Sequence, residues 1–279
     1  IAKIAAGEVI ERPVYAVKEL VENSIDAGAD SLIITIQDSG LTRITVIDNG
    51  SGMSPEDVKE CIKPHATSKL DSIDSLSTIQ TLGFRGEALA SIAAISTLTV
   101  QTKRREDTGG TSVVVKDGKI VKVVSVGMPV GTQVTVENLF HSVPARKKFL
   151  KSLRTEFRHI VETVTQYAFV HPHIHFVLTH NGKTIFDLPK VDSRLRGNDS
   201  GVLDRMQTLL GKDIHASLLP ITFENDYISL SGFIARPQMT TKTPHKQYLY
   251  INKRNIGDKG ISMAVKAAYG TLVEKNSYP

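Results

Sequence analysis

Pro13-Val14-Tyr15-Ala16-Val17-Lys18-Glu19-Leu20-Val21-Glu22-Asn23-Ser24-Ile25-Asp26-Ala27-Gly28 is the stretch on which the fold turns. It predicts a helix over residues 8–27, with Pro13 in the first turn, where a missing N–H costs little. Gly28 stands where a helix ends. At about 100° per residue, Val14, Val17, Leu20, Val21, Ser24 and Ile25 share one side, and Glu19, Glu22, Asn23 and Asp26 share the other. Glu19 and Asn23 are one turn apart and stack on one face. A carboxylate there can orient or deprotonate a water, and the amide oxygen beside it suits Mg²⁺, a hard cation that takes oxygen ligands. Taken alone, the same pair reads first as the solvated face that surface helices carry.

Downstream, Ser31–Gln37 and Leu41–Ile47 read as strands around the turn Asp38-Ser39-Gly40. The second runs into Asp48-Asn49-Gly50-Ser51-Gly52. A buried Asp48 can accept a hydrogen bond from the exocyclic amine of adenine, and the glycines let backbone approach a base closely; a tight turn with a capping Asp is the plainer reading. Ser54-Pro55-Glu56-Asp57 is a helix start. The stretch from Pro64 to Gly86 is polar and predicts an irregular, mobile segment. Within it, Thr67, Ser68 and Lys69 offer two hydroxyls and an ammonium, or an ordinary solvated loop. Gly83-Phe84-Arg85-Gly86-Glu87-Ala88-Leu89 leads into a short apolar helix, and the N–H groups of such a helix start attract phosphate. It lacks the Walker A and dinucleotide fingerprints. Alternating strands follow at 97–102, 111–116, 120–126 and 132–137, the last placing a hydroxyl at Thr132. An amphipathic helix spans 155–170, and a hairpin spans 174–188. Residues 191–201 are polar and turn-rich and read as a linker. Beyond it come a helix (202–210), strands (226–235 and 246–252) and a helix (260–275). This order predicts an α+β protein, a mostly antiparallel sheet with helices on one face.

The 279 residues are 41% hydrophobic and 23% charged, an ordinary globular balance, and invite division into two lobes. No stretch reaches the roughly 18 consecutive apolar residues of a membrane span, so no membrane partner is expected. Cys61 is the single cysteine, which fits a reducing compartment. Thirty-four Lys and Arg against 29 Asp and Glu give a net charge of +5, which permits nucleic-acid binding without demanding it. The positive charge gathers at Arg146, Lys147, Lys148, Lys151, Arg154 and Arg158, with Lys253 and Arg254 further on. The alternating His171, His173 and His175 have no cysteine or acidic residue placed to complete a zinc site, and read as structural.

These signals occur in one order. Ile4-Ala5-Ala6-Gly7-Glu8-Val9-Ile10-Glu11-Arg12-Pro13 leads into Lys18–Ser24. Asp48–Gly52, His65-Ala66-Thr67-Ser68-Lys69, Gly83–Leu89 and Pro144-Ala145-Arg146 follow. The series closely resembles the MutL family of mismatch repair ATPases over nearly the whole chain. The resemblance implies an α/β sandwich of Bergerat (GHKL) type over 1–190, a linker over 191–201, and a second, smaller ribosomal-protein-like βαβ lobe over 202–279, truncated at its C-terminal end. It implies ATP and Mg²⁺ as cofactors, with Glu19 as general base and Asn23 as Mg²⁺ ligand. Asp48 would be the adenine reader with Gly52 beside the base, and Thr132 would reach adenine through a water. Thr67, Ser68 and Lys69 would lie near the nucleotide, and Gly83, Phe84, Arg85, Gly86, Glu87, Ala88 and Leu89 would form a lid over the phosphates.

The implied role is an ATP-driven conformational switch. The implied partners are DNA, a mismatch recognition protein, downstream repair factors and, in the full-length protein, a second copy in an ATP-dependent homodimer. The implied location is cytoplasmic, in the bacterial cytosol or nucleoid. Two features depart from the family. Its Asn-Val-His-Pro-x-Lys segment, whose lysine reaches the γ-phosphate, has no counterpart, so the chain reads as a fragment for which binding of ATP is a firmer expectation than hydrolysis. A non-hydrolysing ATP- and DNA-binding module is the alternative. The second departure is Ser193–Asp199, which looks foreign to the family pattern and reads as an insertion in an exposed loop.

Overall fold

The computed structural model describes residues 6, 8–63, 87–191, 198–242, 247–274 and 277–278. The expected irregular segment 64–86 and most of the proposed insertion lie outside the described residues. The chain divides into two compact units, residues 1–193 and 194–279.

The first unit is a two-layer sandwich. Its eight strands are β1 (Ser31–Gln37), β2 (Arg43–Asp48), β3 (Thr97–Lys103), β4 (Gly110–Lys116), β5 (Lys119–Val126), β6 (Gly131–Glu137), β7 (His175–His180) and β8 (Lys183–Leu188). They lie in the order β5-β4-β3-β6-β2-β1-β7-β8. Every pairing is antiparallel except β1 with β7. The central strands alternate: Leu32, Ile34 and Ile36, then Ile44 and Val46, then Leu98 and Val100, then Phe176 and Leu178 are buried, while Thr35, Thr45, Thr99 and Thr135 on the opposite face are only half-covered; the edge strand β5 is exposed along almost its whole length. One face therefore carries the core, as in antiparallel sheets with a solvated side.

The helices covering that face are α1 (Pro13–Asp26), α3 (Ala88–Ile95) and α5 (Leu153–Val170), with short helices α2 (Asp57–Glu60) and α4 (Pro144–Lys148) between strands. Pro13 opens α1 as the sequence predicts, although the helix starts five residues later than the 8–27 reading. Its end has bonds from Ala27 N–H to Asn23 O at 3.0 Å and from Ala29 N–H to Ser24 O at 3.2 Å. The buried stripe is Pro13, Ala16, Val17, Leu20, Val21 and Ser24.

The helical wheel was wrong about Glu22, which belongs to the expected solvent side yet is buried. Tyr167 of α5 donates its phenol hydrogen to the Glu22 carboxylate, and α5 packs along that flank of α1. The phenol is held far above its ordinary pKa by burial first, then by the negative charges of Glu22, Glu19 and Asp26. The same helix pair is tied at its other end. Glu156, fully buried, accepts from the Arg12 guanidinium at 2.7 Å and from Lys151 N–H at 2.8 Å.

In the second unit, α6 (Asn198–Leu210) begins inside the stretch read as a linker. It leads to α7 (Lys212–Ser217) and to a hairpin of β9 (Leu218–Glu224) and β10 (Ser229–Ala235). Two-residue strands β11 (Tyr250–Ile251) and β12 (Arg254–Asn255) and helix α8 (Lys259–Tyr269) complete it. Strand β9 has no counterpart in the sequence reading. It contains Pro220, which supplies no N–H to a ladder and is tolerated because, among the described residues, this sheet has two strands, so β9 is an edge.

Candidate nucleotide-binding site

Strand β2 ends at Asp48 with its side chain on the helix-covered face. Register sets a row across the sheet at this level: Leu32 of β1 opposite Asp48, Asp48 opposite Thr132 of β6, and Thr132 opposite Thr102 of β3. Asp48 is buried, and its two oxygens are differently occupied. Oδ1 accepts the N–H of Gly50 at 2.9 Å and of Thr132 at 3.2 Å. Oδ2 accepts the hydroxyl hydrogen of Ser24 at 2.8 Å. Burial pushes the carboxyl above the usual carboxylate range, and these three bonds, led by that of Gly50, oppose the shift. A carboxylate in this setting keeps lone pairs for another donor, since each oxygen accepts more than one hydrogen bond.

The backbone around Asp48 comes close without side chains in the way. Gly52 has φ +70°, and a Cβ on it would stand 2.2 Å from Lys103 O; on Gly131, with φ +128°, a Cβ would stand 2.1 Å from Asp48 O. No other residue fits either position. Thr102 ties these turns together. Its hydroxyl accepts Met53 N–H at 2.9 Å, lies 3.2 Å from Gly131 O and 3.0 Å from the Thr132 hydroxyl. Asn49 fastens the other side, its amide oxygen accepting the N–H groups of Asp30 and Ser31, both at 3.0 Å.

Above this floor runs α1. Ser24 reaches down to Asp48, and Asn23 and Glu19, half-buried, precede it by one residue and by a little over one turn. Helix α3 packs against α1, and its start holds Glu87, Ala88 and Leu89, all half-buried. The structure thus brings together Asp48, Gly52 and Thr132, with Glu19 and Asn23 on the adjoining helix. Thr67, Ser68, Lys69, Gly83, Phe84, Arg85 and Gly86 lie outside the described residues.

Ser24 and Thr102 are participants that the sequence reading did not name. Ser24 had a signal. It is the one hydroxyl on the side of the helix shared by Val17, Leu20 and Val21, and a buried hydroxyl needs a partner. Thr102 had none, because its role depends on the register of three strands.

Residues 11–128 match the family described as histidine kinase-, DNA gyrase B- and HSP90-like ATPases, and residues 206–279 match the C-terminal domain of DNA mismatch repair proteins. Fold and site together define a Bergerat-type, GHKL-class ATPase domain. Among curated relatives, MutL of Chloroherpeton thalassium is 44% identical over 99% of this chain, and MutL of Geobacter sulfurreducens is 42% identical over the same share. The chain spans 42% and 44% of these two relatives' lengths, less than half of each. The Aquifex aeolicus MutL ATPase domain complexed with ADP superposes with TM-score 0.73 at 31% identity, covering 93% of this chain and 88% of that one. The N-terminal domain of a DNA repair protein superposes with TM-score 0.81 at 27% identity, covering 98% and 82%. The chain belongs to the MutL family of DNA mismatch repair proteins, and the part of the family it represents is the ATPase domain.

Proposed function

We propose that this chain binds ATP with Mg²⁺, hydrolyses it slowly, and uses the cycle as a conformational switch in mismatch repair. The observation that carries the reading is the buried Asp48 carboxylate, supported by three donors and flanked by glycines whose Cβ positions are filled by backbone. Such a cradle suits a flat base with an exocyclic amine. In this reading Asp48 accepts the adenine amine, Gly52 lies against the base and Thr132 reaches it through a water. Asn23 offers an amide oxygen to Mg²⁺, whose charge would offset that of the phosphate oxygens. Glu19 takes the proton of the attacking water as its oxygen bonds to the γ-phosphorus and the bond to the ADP oxygen breaks. Thr67, Ser68 and Lys69 belong to the phosphate end, and Gly83 to Leu89 to the lid.

The role of Glu19 is tested by Glu19→Ala. Binding of the nucleotide should stay within about twofold, while turnover falls by about a hundredfold or more, the scale of a lost general base. Turnover equal to the parent would remove Glu19 from the mechanism.

DNA is the proposed macromolecular partner. From Asn138 to Thr155 no acidic residue occurs, and Lys147, Lys148, Lys151 and Arg154 are exposed around Phe149, itself 81% exposed. This surface suits phosphate-backbone contact. In the second unit Lys253 and Arg254 are also exposed. Within that unit, the ribosomal-protein-like lobe is proposed to run from residue 202, and the linker proposed over 191–201 overlaps the start of α6. In the whole protein, ATP-dependent homodimerisation and engagement of a mismatch recognition protein and downstream repair factors complete the proposal.

A further inference from the structure

We propose that Ser24 sets the selectivity of this pocket for adenine over guanine, by holding the Asp48 carboxylate as a pure hydrogen-bond acceptor through its 2.8 Å bond to Oδ2. The inference rests on the reading of Asp48 as the group that meets the base.

Adenine presents an amine, a donor, where guanine presents a carbonyl oxygen, an acceptor. An ionised carboxylate can only accept, so it pairs with the first and repels the second. A protonated carboxyl can donate, and would accommodate the second. Selectivity therefore depends on Asp48 staying ionised where burial favours the neutral form. Two of its donors, Gly50 N–H and Thr132 N–H, are backbone groups and both serve Oδ1. Ser24 is the side-chain donor and serves Oδ2. It is 4% exposed, so water cannot readily replace it. A hydroxyl donating to a charged oxygen makes a stronger bond than one between neutral groups, so Ser24 favours the ionised form. Among the described residues, no charged side chain on α1, the Gly50 turn or β6 adds to the upward shift of the Asp48 carboxyl, and there Ser24 acts on Asp48 without a competing ion pair.

The test is equilibrium binding of ADP and of GDP to this chain and to its Ser24→Ala variant, between pH 5.5 and 8, with thermal melting as a check on folding. The parent should prefer ADP throughout. In the variant, ADP affinity should fall as pH falls while GDP affinity rises, lowering the ADP-to-GDP ratio by about tenfold at the acid end, the scale of one hydrogen bond to a charged group. A variant with the parent's ratio at every pH would overturn the proposal. So would a variant that loses ADP affinity equally at all pH values with no gain for GDP, since that is the mark of a packing defect. Failure of the parent to bind ADP at all would instead overturn the reading of the pocket, and this inference with it.

Discussion

At Asp48 the proposed recognition of a base and the protein's own stability would pull in opposite directions. Burial raises the carboxyl's pKa above 3.8, so the folded state binds this proton more readily than the unfolded one. The stability linked to that proton is fully present below pH 3.8 and is lost as pH rises through the folded value. At neutral pH the buried charge is therefore a cost. Asp48→Asn is nearly isosteric. Its amide oxygen can accept the Gly50 and Thr132 N–H groups, and its amide hydrogens can meet the Ser24 oxygen. The variant should melt at or above the parent's temperature at pH 7, and lose that advantage as pH is lowered toward 4. A large drop in melting temperature at pH 7 would show that the charge stabilises the fold. The end of β2 at Asp48 and its glycine turn were legible in the sequence as a tight turn, whereas the base-facing role proposed for Asp48 rested on the family resemblance. Glu22 was misread because periodicity assigns faces to an isolated helix, and nothing local reveals that Tyr167, 145 positions away, brings a donor to its polar flank.

The element most in need of support is α1, which carries Ser24, Asn23 and Glu19. It is pinned to α5 at two places, by Tyr167 on Glu22 and by Arg12 on Glu156. Glu156 is fully buried while Arg12 is partly exposed. Among the described residues, removing the guanidinium would leave the carboxylate to the Lys151 N–H alone. Arg12→Ala should lower the unfolding free energy by about 3–5 kcal/mol, the usual result of orphaning one partner of a buried pair, measured by urea denaturation. A loss below about 1 kcal/mol would class it with surface pairs. Helix α5 and the central strands follow from repeating apolar periods, and the sequence reading located each strand from β1 to β8 to within about two residues but placed the start of α1 five residues too early. Helix α6 begins earlier than read, because Asn198-Asp199-Ser200-Gly201 reads as turn chemistry yet forms the first turn of the helix. Strand β9 was hidden by its proline and by the absence of alternation in burial.

At the scale of the whole molecule, the proposed DNA partner would meet exposed positive charge on the first unit. Among the described residues no helix is long and apolar enough to cross a membrane. The acid-free stretch ahead of Glu156 gathers exposed lysines on the first unit. Binding to duplex DNA should weaken with salt along a straight log–log line whose slope steepens by about 0.9 for each phosphate neutralised. Lys147→Ala with Lys148→Ala should make that slope shallower by one to two contacts' worth, without altering nucleotide binding. An unchanged slope would move the DNA surface elsewhere. The chain divides into two compact units between residues 193 and 194, and the linker over 191–201 remains a proposal drawn from a polar stretch between two patterned regions. The fold class was readable from the order of elements, whereas the pairing of β1 with β7 in parallel depends on a long connection that no local pattern specifies.

The central claim is that Asp48 anchors a nucleotide pocket. Its most direct test is a calorimetric titration of a non-hydrolysable ATP analogue with Mg²⁺ into the parent and into Asp48→Asn. The account predicts saturable binding by the parent, and binding at least about tenfold weaker by a variant that remains folded. A folded parent that takes up no nucleotide, or a variant that binds as the parent does, would contradict it.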